Sequence, residues 1–286
     1  MFNAPFQINR PQIRDTSVVF ASPHSGRNYS KGFLHSTVLN EMEIRSSEDA
    51  FVDHLFRDVP SFGAPLLLAT TPRAYVDLNR NIDELDPALI DEVKKTFHNP
   101  RVASGLGVIP RVVSHGRAIY NGKMPRSAAE ARLLAHWAPY HAALEGLLAE
   151  SHEMFGQAIL IDCHSMPHEA INRPTRRGVP KPQIVLGDRF GTAANTEIVD
   201  RIEAGFVKAG LTVARNTPFA GAFITQQYGR PSRGRHAIQI EIDRSLYMDE
   251  KLIQPNADFV AFQAVISSVA KGIVAIGRSD CAVAAE

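Results

Sequence analysis

The strongest constraint on this chain is a series of short, nearly unbroken apolar runs: "SVVFAS" (17–22), "PLLLAT" (65–70), "AILIDC" (158–163), "QIVLGD" (183–188), "LTVAR" (211–215) and "HAIQIEI" (236–242). A strand with one wet face alternates polar and apolar side chains, whereas a strand covered on both faces reads as continuously apolar. Covered strands need helices above and below them. Stretches of helical period fall between the runs at roughly 48–58, 126–150, 192–209 and 254–275. In the second of these, Leu133, Trp137, Leu144 and Leu148 form one apolar stripe. Strand alternating with helix predicts an α/β fold, a three-layer αβα sandwich around a mixed, mostly parallel central sheet.

The 286 residues are expected to form a single domain, 1–286, since no internal repeat or low-complexity linker divides them. A formal net charge of +1 gives no general attraction for nucleic acid or acidic membranes, so function must reside in local sites. The amino end has no charged head followed by an apolar segment, and no window is expected to be long and apolar enough to cross a bilayer. The cytoplasm is therefore the expected location. Cys163 and Cys281 are too few for a disulfide framework.

Polar, Gly- and Pro-rich connections cover 70–125, 165–182 and 216–235. In open α/β sheets, long loops at the carboxyl ends of strands usually build the site. Three strand ends stand out there. "SVVFASPHSG" delivers His24 just past a strand, "AILIDCHS" delivers His164 just past another, and "HAIQIEIDR" delivers Glu241 near the end of a third. If these strands are parallel neighbours, the side chains converge on one edge of the sheet. A single histidine after a strand is more often a hydrogen-bonded structural residue, and His98, His115, His136 and His141 are read that way. Two histidines, each closing an apolar strand and each followed by serine, bring a metal site level with that reading. Two imidazoles and a carboxylate are a ligand set for catalytic zinc, with one position left for water, and beside His164 the carboxylate of Asp162 is placed to hydrogen-bond in support while Cys163 packs as a small apolar residue.

"RSSEDAFVDHLF" begins like a capped helix, with Ser46 or Ser47 ahead of Glu48 and Asp49. Glu48 suits the helix dipole, while Asp49 or Asp53 is placed to turn inward toward a cation. "TPRAYVDLNRNIDELDP" then supplies Arg73, Asp77, Asn79 and Arg80. Arginine's planar fork captures carboxylates in bidentate fashion, although a surface turn pairing these arginines with Asp83, Glu84 or Asp86 fits equally. The stretch "PFAGAFITQQYGRPSRGRHAIQ" is expected to cover a pocket. Gly221, Gly229 and Gly234 allow it to turn, and Tyr228, Arg233 or Arg235 are candidates to meet a carboxylate or an oxyanion. "GLGVIPR" lacks a phosphate-binding fingerprint, which leaves Arg111 as a candidate for an anionic substrate. Ser25 and Ser165 each follow a histidine, but no GxSxG elbow accompanies them.

The ordered set "SPHSG", "EDAFVDHLF", "RAYVDLNR", "LIDCHSMP" and "HAIQIEIDRSLYMDE" resembles the N-formylglutamate amidohydrolase family from about residue 15 to 250. That family is similar in turn to zinc carboxypeptidases and aspartoacylases. The resemblance implies a zinc-exopeptidase-like fold, zinc or another divalent metal on His24 and His164, Asn79 and Arg80 on a substrate carboxylate, and Glu241 as general base. Arg73 would face the oxyanion. The glutamate that carboxypeptidases carry three residues after the first histidine is replaced by Arg27. The family's acidic helix matches "EDAFVD", and the resemblance places the acidic ligand at Asp49, nearest the helix start, with Glu48 and Asp53 as alternatives. The implied reaction is hydrolysis of the formyl amide of N-formyl-L-glutamate or a similar small N-acyl amino acid, with no nucleic-acid or membrane partner. A zinc hydrolase for another acyl group or a peptide bond, and a non-catalytic binding protein, remain the other two readings.

Overall fold

A computed structural model describes residues 4–94, 99–172 and 181–278, so His98 and Cys281 lie outside the described residues. Seven strands form the central sheet: β1 (Phe6–Asn9), β2 (Val18–Ser22), β3 (Leu66–Ala69), β4 (Ala158–Met166), β5 (Ile184–Gly187), β6 (Val213–Arg215) and β7 (Arg235–Asp243). Their order is β1-β3-β2-β4-β7-β5-β6. The block β3-β2-β4-β7 is parallel, and β5 also runs parallel to β6. β1 against β3 and β5 against β7 are antiparallel, which makes the sheet mixed and mostly parallel.

The sheet is covered on both faces, as its apolar strands require. Val18, Phe20, Ile159, Ile161, Ile238 and Ile240 pack beneath the helices Thr196–Lys208 and Phe259–Ile276. On the opposite face, Val19, Ala21, Leu160 and Ala237 meet the helix Ala138–Phe155 and the long excursion between β3 and β4. That helix continues a shorter one, Arg126–Arg132, through a widened π turn at Leu133–Trp137. The widening precedes Pro139, which has no N–H to give to the preceding turn.

Three sequence-based expectations are corrected. The segment 48–58 is not one capped helix: Glu48 is extended, Phe51 takes a left-handed φ of 65°, and α-helix covers only Val52–Leu55. His164 does not follow its strand but lies within it, because β4 and β7 pair without interruption from Ala158↔Arg235 to Met166↔Asp243. Finally, the helix Phe259–Ile276 is long and apolar enough by composition to span a bilayer, with a mean hydropathy of 1.9. Its apolar face instead fills the core through Phe262, Ile266, Val269 and Ile273. The antiparallel edge strand β1 was not anticipated, since "FQIN" is only four residues long and half-buried.

Candidate active site

Side chains alternate across a strand, so Leu160, Asp162 and His164 share one face of β4, as do Ala237, Gln239 and Glu241 on β7. The parallel register sets His164 beside Glu241 and Asp162 beside Gln239. These polar residues point to the face covered by the β3–β4 excursion, at the carboxyl end of the parallel block. His24 arrives just past β2, the neighbour of β4 on its other side. His24, His164, Gln239 and Glu241 are buried and line a cleft of about 740 Å³ together with Asp49, Arg73, Asp77, Asn79, Arg80 and Arg244, with Asp162 buried behind them. That volume suits a small molecule.

Asp49 lies between the two imidazoles. Its Oδ2 is 2.9 Å from His164 Nδ1 and 3.4 Å from His24 Nδ1. The backbone sets this position: Asp49 N–H donates to the His24 carbonyl, and the left-handed turn at Phe51 ends the segment before a helix can carry Asp49 away. Arg244 donates to the other oxygen, Asp49 Oδ1, at 2.9 Å and also to Ser165 Oγ. The remaining ring nitrogens are held by carboxylates. His24 Nε2 is 2.7 Å from Asp77 Oδ1, and His164 Nε2 is 3.0 Å from Asp162 Oδ2. A carboxylate can only accept, so Asp77 favours a proton on His24 Nε2, while His164 Nε2 lies between Asp162 and the amide of Asn79 at 3.1 Å; both Nδ1 atoms are aimed at Asp49.

His24 Nδ1 is buried and has no hydrogen-bond partner. Such an orphan is rare, and a cation is one of the few groups that would satisfy it beside a carboxylate. His24, Asp49 and His164 each present a ligand atom, all within 4.8 Å of one another. Imidazoles oriented by outer carboxylates are the usual support of a protein metal centre. The residues present therefore fit a bound divalent metal.

The electrostatics agree with that fit. Burial alone would raise the pKa of Asp49, but the hydrogen bond from His164 and the attraction of the two flanking imidazoles overcome it and hold the carboxyl well below its ordinary range. Burial would likewise lower His164, yet Asp162 and Asp49 hold it well above the ordinary histidine value. An environment that favours a proton so strongly between these groups favours other cations there too. Glu241 behaves differently: burial, reinforced by the charge of Asp49, pushes it up to about 7 against the pull of His164, Arg73 and Arg244. A carboxyl poised there can both take and return a proton near neutrality.

The other acidic candidates are engaged elsewhere. Glu48 is paired with Arg45 and Asp53 with Arg27, the residue that replaces the carboxypeptidase glutamate. Arg73 and Arg80 line the cleft beside Asp77, at 3.1 and 4.0 Å from its Oδ2. Three expected substrate contacts are not brought to the cleft. Arg111 turns into a neighbouring groove and binds Asp86 at 2.8 Å. Arg235 begins β7, six residues and so roughly 20 Å of strand from Glu241, and pairs with Glu145. Tyr228 is packed under the β3–β4 excursion with its hydroxyl 2.8 Å from His141 Nδ1. Gly221 does line the cleft, in a wall formed by 218–222. Ser25 pairs with Ser22, and neither Ser25 nor Ser165 is hydrogen-bonded to a histidine among the described residues.

Asp162 takes the supporting place beside His164 that the sequence suggested for it, whereas Asp77, Gln239 and Arg244 belong to this site although the sequence did not single them out for these contacts. For Asp162 and Gln239 a signal existed, because both sit two residues before a chemically expected side chain on the same strand face. Asp77 comes from a loop and Arg244 from a 3-10 turn just past β7, where the alternation of a strand carries no such information.

Comparison with known proteins joins this geometry to a lineage. A solved N-formylglutamate amidohydrolase from Ralstonia eutropha JMP134 superposes with a TM-score of 0.90 at 35% identity, covering 96% of this chain and 99% of the other. A protein from Agrobacterium tumefaciens shares the fold at a TM-score of 0.65 and 17% identity, with 96% of each chain covered. The N-formylglutamate deformylase of Pseudomonas aeruginosa is 30% identical over 270 residues, 91% of this chain and 94% of its own length. Residues 16–248, which hold every side chain of the cleft named above, match the sequence profile of the N-formylglutamate amidohydrolase family. By sequence and by structure, this chain belongs to the N-formylglutamate amidohydrolase family.

Proposed function

We propose that this protein is a metal-dependent amidohydrolase that cleaves the formyl amide of N-formyl-L-glutamate to formate and glutamate. The observation that carries this reading is the convergence of His24 Nδ1, His164 Nδ1 and the Asp49 carboxylate beside Glu241, a carboxyl poised near neutrality. Family membership supplies the substrate class.

His24, Asp49 and His164 are the ligands for the metal, and zinc suits two imidazoles with one carboxylate. When bound, it supplies Lewis-acid polarisation of the acyl carbonyl and of water. Glu241 takes a proton from the attacking water as the new C–O bond forms, then hands it to the amide nitrogen as the C–N bond breaks. Arg73 faces the oxygen on which negative charge develops, and Arg80 holds the amino-acid carboxylate. Asp77 and Asp162 orient the two imidazoles so that each turns Nδ1 toward Asp49.

The decisive experiment measures bound metal in the purified protein, then formate release from N-formyl-L-glutamate before chelation, after chelation and after zinc is restored. Activity should vanish on chelation and return with zinc. Full activity in protein free of metal would refute the mechanism. Parallel assays with N-acetylglutamate and N-formylaspartate test the substrate, and a preference for either would refute the assignment of N-formylglutamate.

A further inference from the structure

Two buried amide side chains, Asn79 and Gln239, are joined in a way that the resemblance does not account for. Asn79 Oδ1 accepts the Ile224 N–H at 2.8 Å, and Gln239 Oε1 accepts the Ala222 N–H at 3.1 Å. Their nitrogens turn the other way. Gln239 Nε2 donates to Glu241 Oε1 at 2.7 Å, while Asn79 Nδ2 lies 3.1 Å from His164 Nε2 and donates to Asp162 Oδ2 at 3.4 Å. The two amides also touch, with Asn79 Nδ2 donating to Gln239 Oε1 at 3.5 Å.

From these contacts we infer that Asn79 and Gln239 are positioning residues, which couple the cleft wall at 218–222 to the base and to the support of His164, and that Asn79 does not hold the substrate carboxylate. The inference rests on the reading of Glu241 as base. The first N–H groups of any helix have no partner inside it. The helix Phe223–Tyr228 receives no cap from its own Ala222, so Asn79 supplies one from across the cleft. A substrate carboxylate, which only accepts, could be met by Asn79 through Nδ2 alone, and that nitrogen is turned to Asp162 Oδ2, His164 Nε2 and Gln239 Oε1. The wall itself has little freedom: a Cβ on Gly187 would lie 2.6 Å from Gly221 N, so this segment is seated directly on β5. The amides therefore hold Glu241 and the support of His164 in register with a wall that is itself fixed on the sheet.

Gln239→Met and Asn79→Ala test this on the full-length metal-loaded protein, with thermal melting to confirm folding. In Gln239→Met the Ala222 amide should exchange hydrogen at least about tenfold faster. Its kcat on N-formyl-L-glutamate should fall on the order of 10–100-fold while KM changes little, because a misplaced base costs the chemical step. Its zinc affinity, measured by chelator competition, should stay within about twofold, since the amide reaches no ligand. In Asn79→Ala the Ile224 amide should lose protection and zinc affinity should fall on the order of 10–100-fold. Unchanged exchange at 222 and 224, or a rise in KM alone in Asn79→Ala, would overturn the inference. If wild-type protein does not hydrolyse N-formyl-L-glutamate, the proposed function fails, and the exchange and affinity measurements still decide the coupling. Should Asn79→Ala fail to fold, Gln239→Met decides it alone.

Discussion

Replacing Glu241 with glutamine should stabilise the metal-free protein and abolish turnover, and the size of the stabilisation follows from burial. Glu241 titrates at about 7 instead of its ordinary 4.5, mainly because burial disfavours its charge. One pKa unit is about 1.4 kcal/mol, so a charged Glu241 costs the folded state on the order of 3 kcal/mol at pH 8. The sign is set by a raised folded pKa: the protonated carboxyl contributes fully below about 4.5, and that contribution is lost as pH rises through about 7. Glutamine carries no charge at any pH and keeps the acceptor that Gln239 Nε2 requires. Denaturant unfolding of chelated wild type and Glu241→Gln should thus differ by roughly 3 kcal/mol at pH 8 and by about 1 kcal/mol or less at pH 5. With metal bound the advantage should shrink, because a nearby cation stabilises the carboxylate. Hydrolysis should fall on the order of 10²–10⁴-fold. A variant no more stable than wild type at pH 8, or more stable by the same amount at both pH values, would refute this account of Glu241.

Two further outcomes follow from contacts around the cleft. Gly26→Ala would set a Cβ 2.1 Å from the Thr71 carbonyl oxygen, so the backbone after His24 must shift. It should cost about 1–3 kcal/mol and lower metal affinity, and a melting temperature and zinc affinity equal to wild type would contradict the packing described. Tyr228→Phe strips a hydrogen bond from His141, whose pKa burial lowers to about 4 and whose Nε2 donates to the Leu78 carbonyl. A loss of about 1–2 kcal/mol in stability is expected, with KM for N-formyl-L-glutamate unchanged. A rise in KM without loss of stability would return Tyr228 to the substrate.

The legible part of the site was the part borne by strands. His164 and Glu241 could be nominated because each interrupts an apolar run, and parallel pairing of β4 with β7 then brings them side by side. Asp162 and Gln239 were available by the same alternation. The excursion between β3 and β4 was less legible. Asp77, Asn79 and Arg80 are close in sequence, but their different tasks follow from what faces them: His24, the Ile224 N–H and the Leu106 carbonyl. Asp49 was chosen from three acidic residues by its place at the start of an expected helix. That helix is absent there, and Asp49 reaches the histidines because an extended Glu48 and a left-handed Phe51 hold it below them.

The sequence by itself determined the layered α/β architecture, since continuously apolar strands can be satisfied only by cover on both faces, and it determined which strand ends carry chemistry. It also carried the family, in five ordered motifs spread over most of the chain. Tertiary structure alone decided which carboxylate meets the two imidazoles, which arginines reach the cleft, and that Asn79 is spent on a backbone N–H. Those choices depend on what lies opposite each side chain across the fold. Local spacing encodes the periodicity of a strand or helix, but it holds no record of the partner that a loop brings in from a hundred residues away.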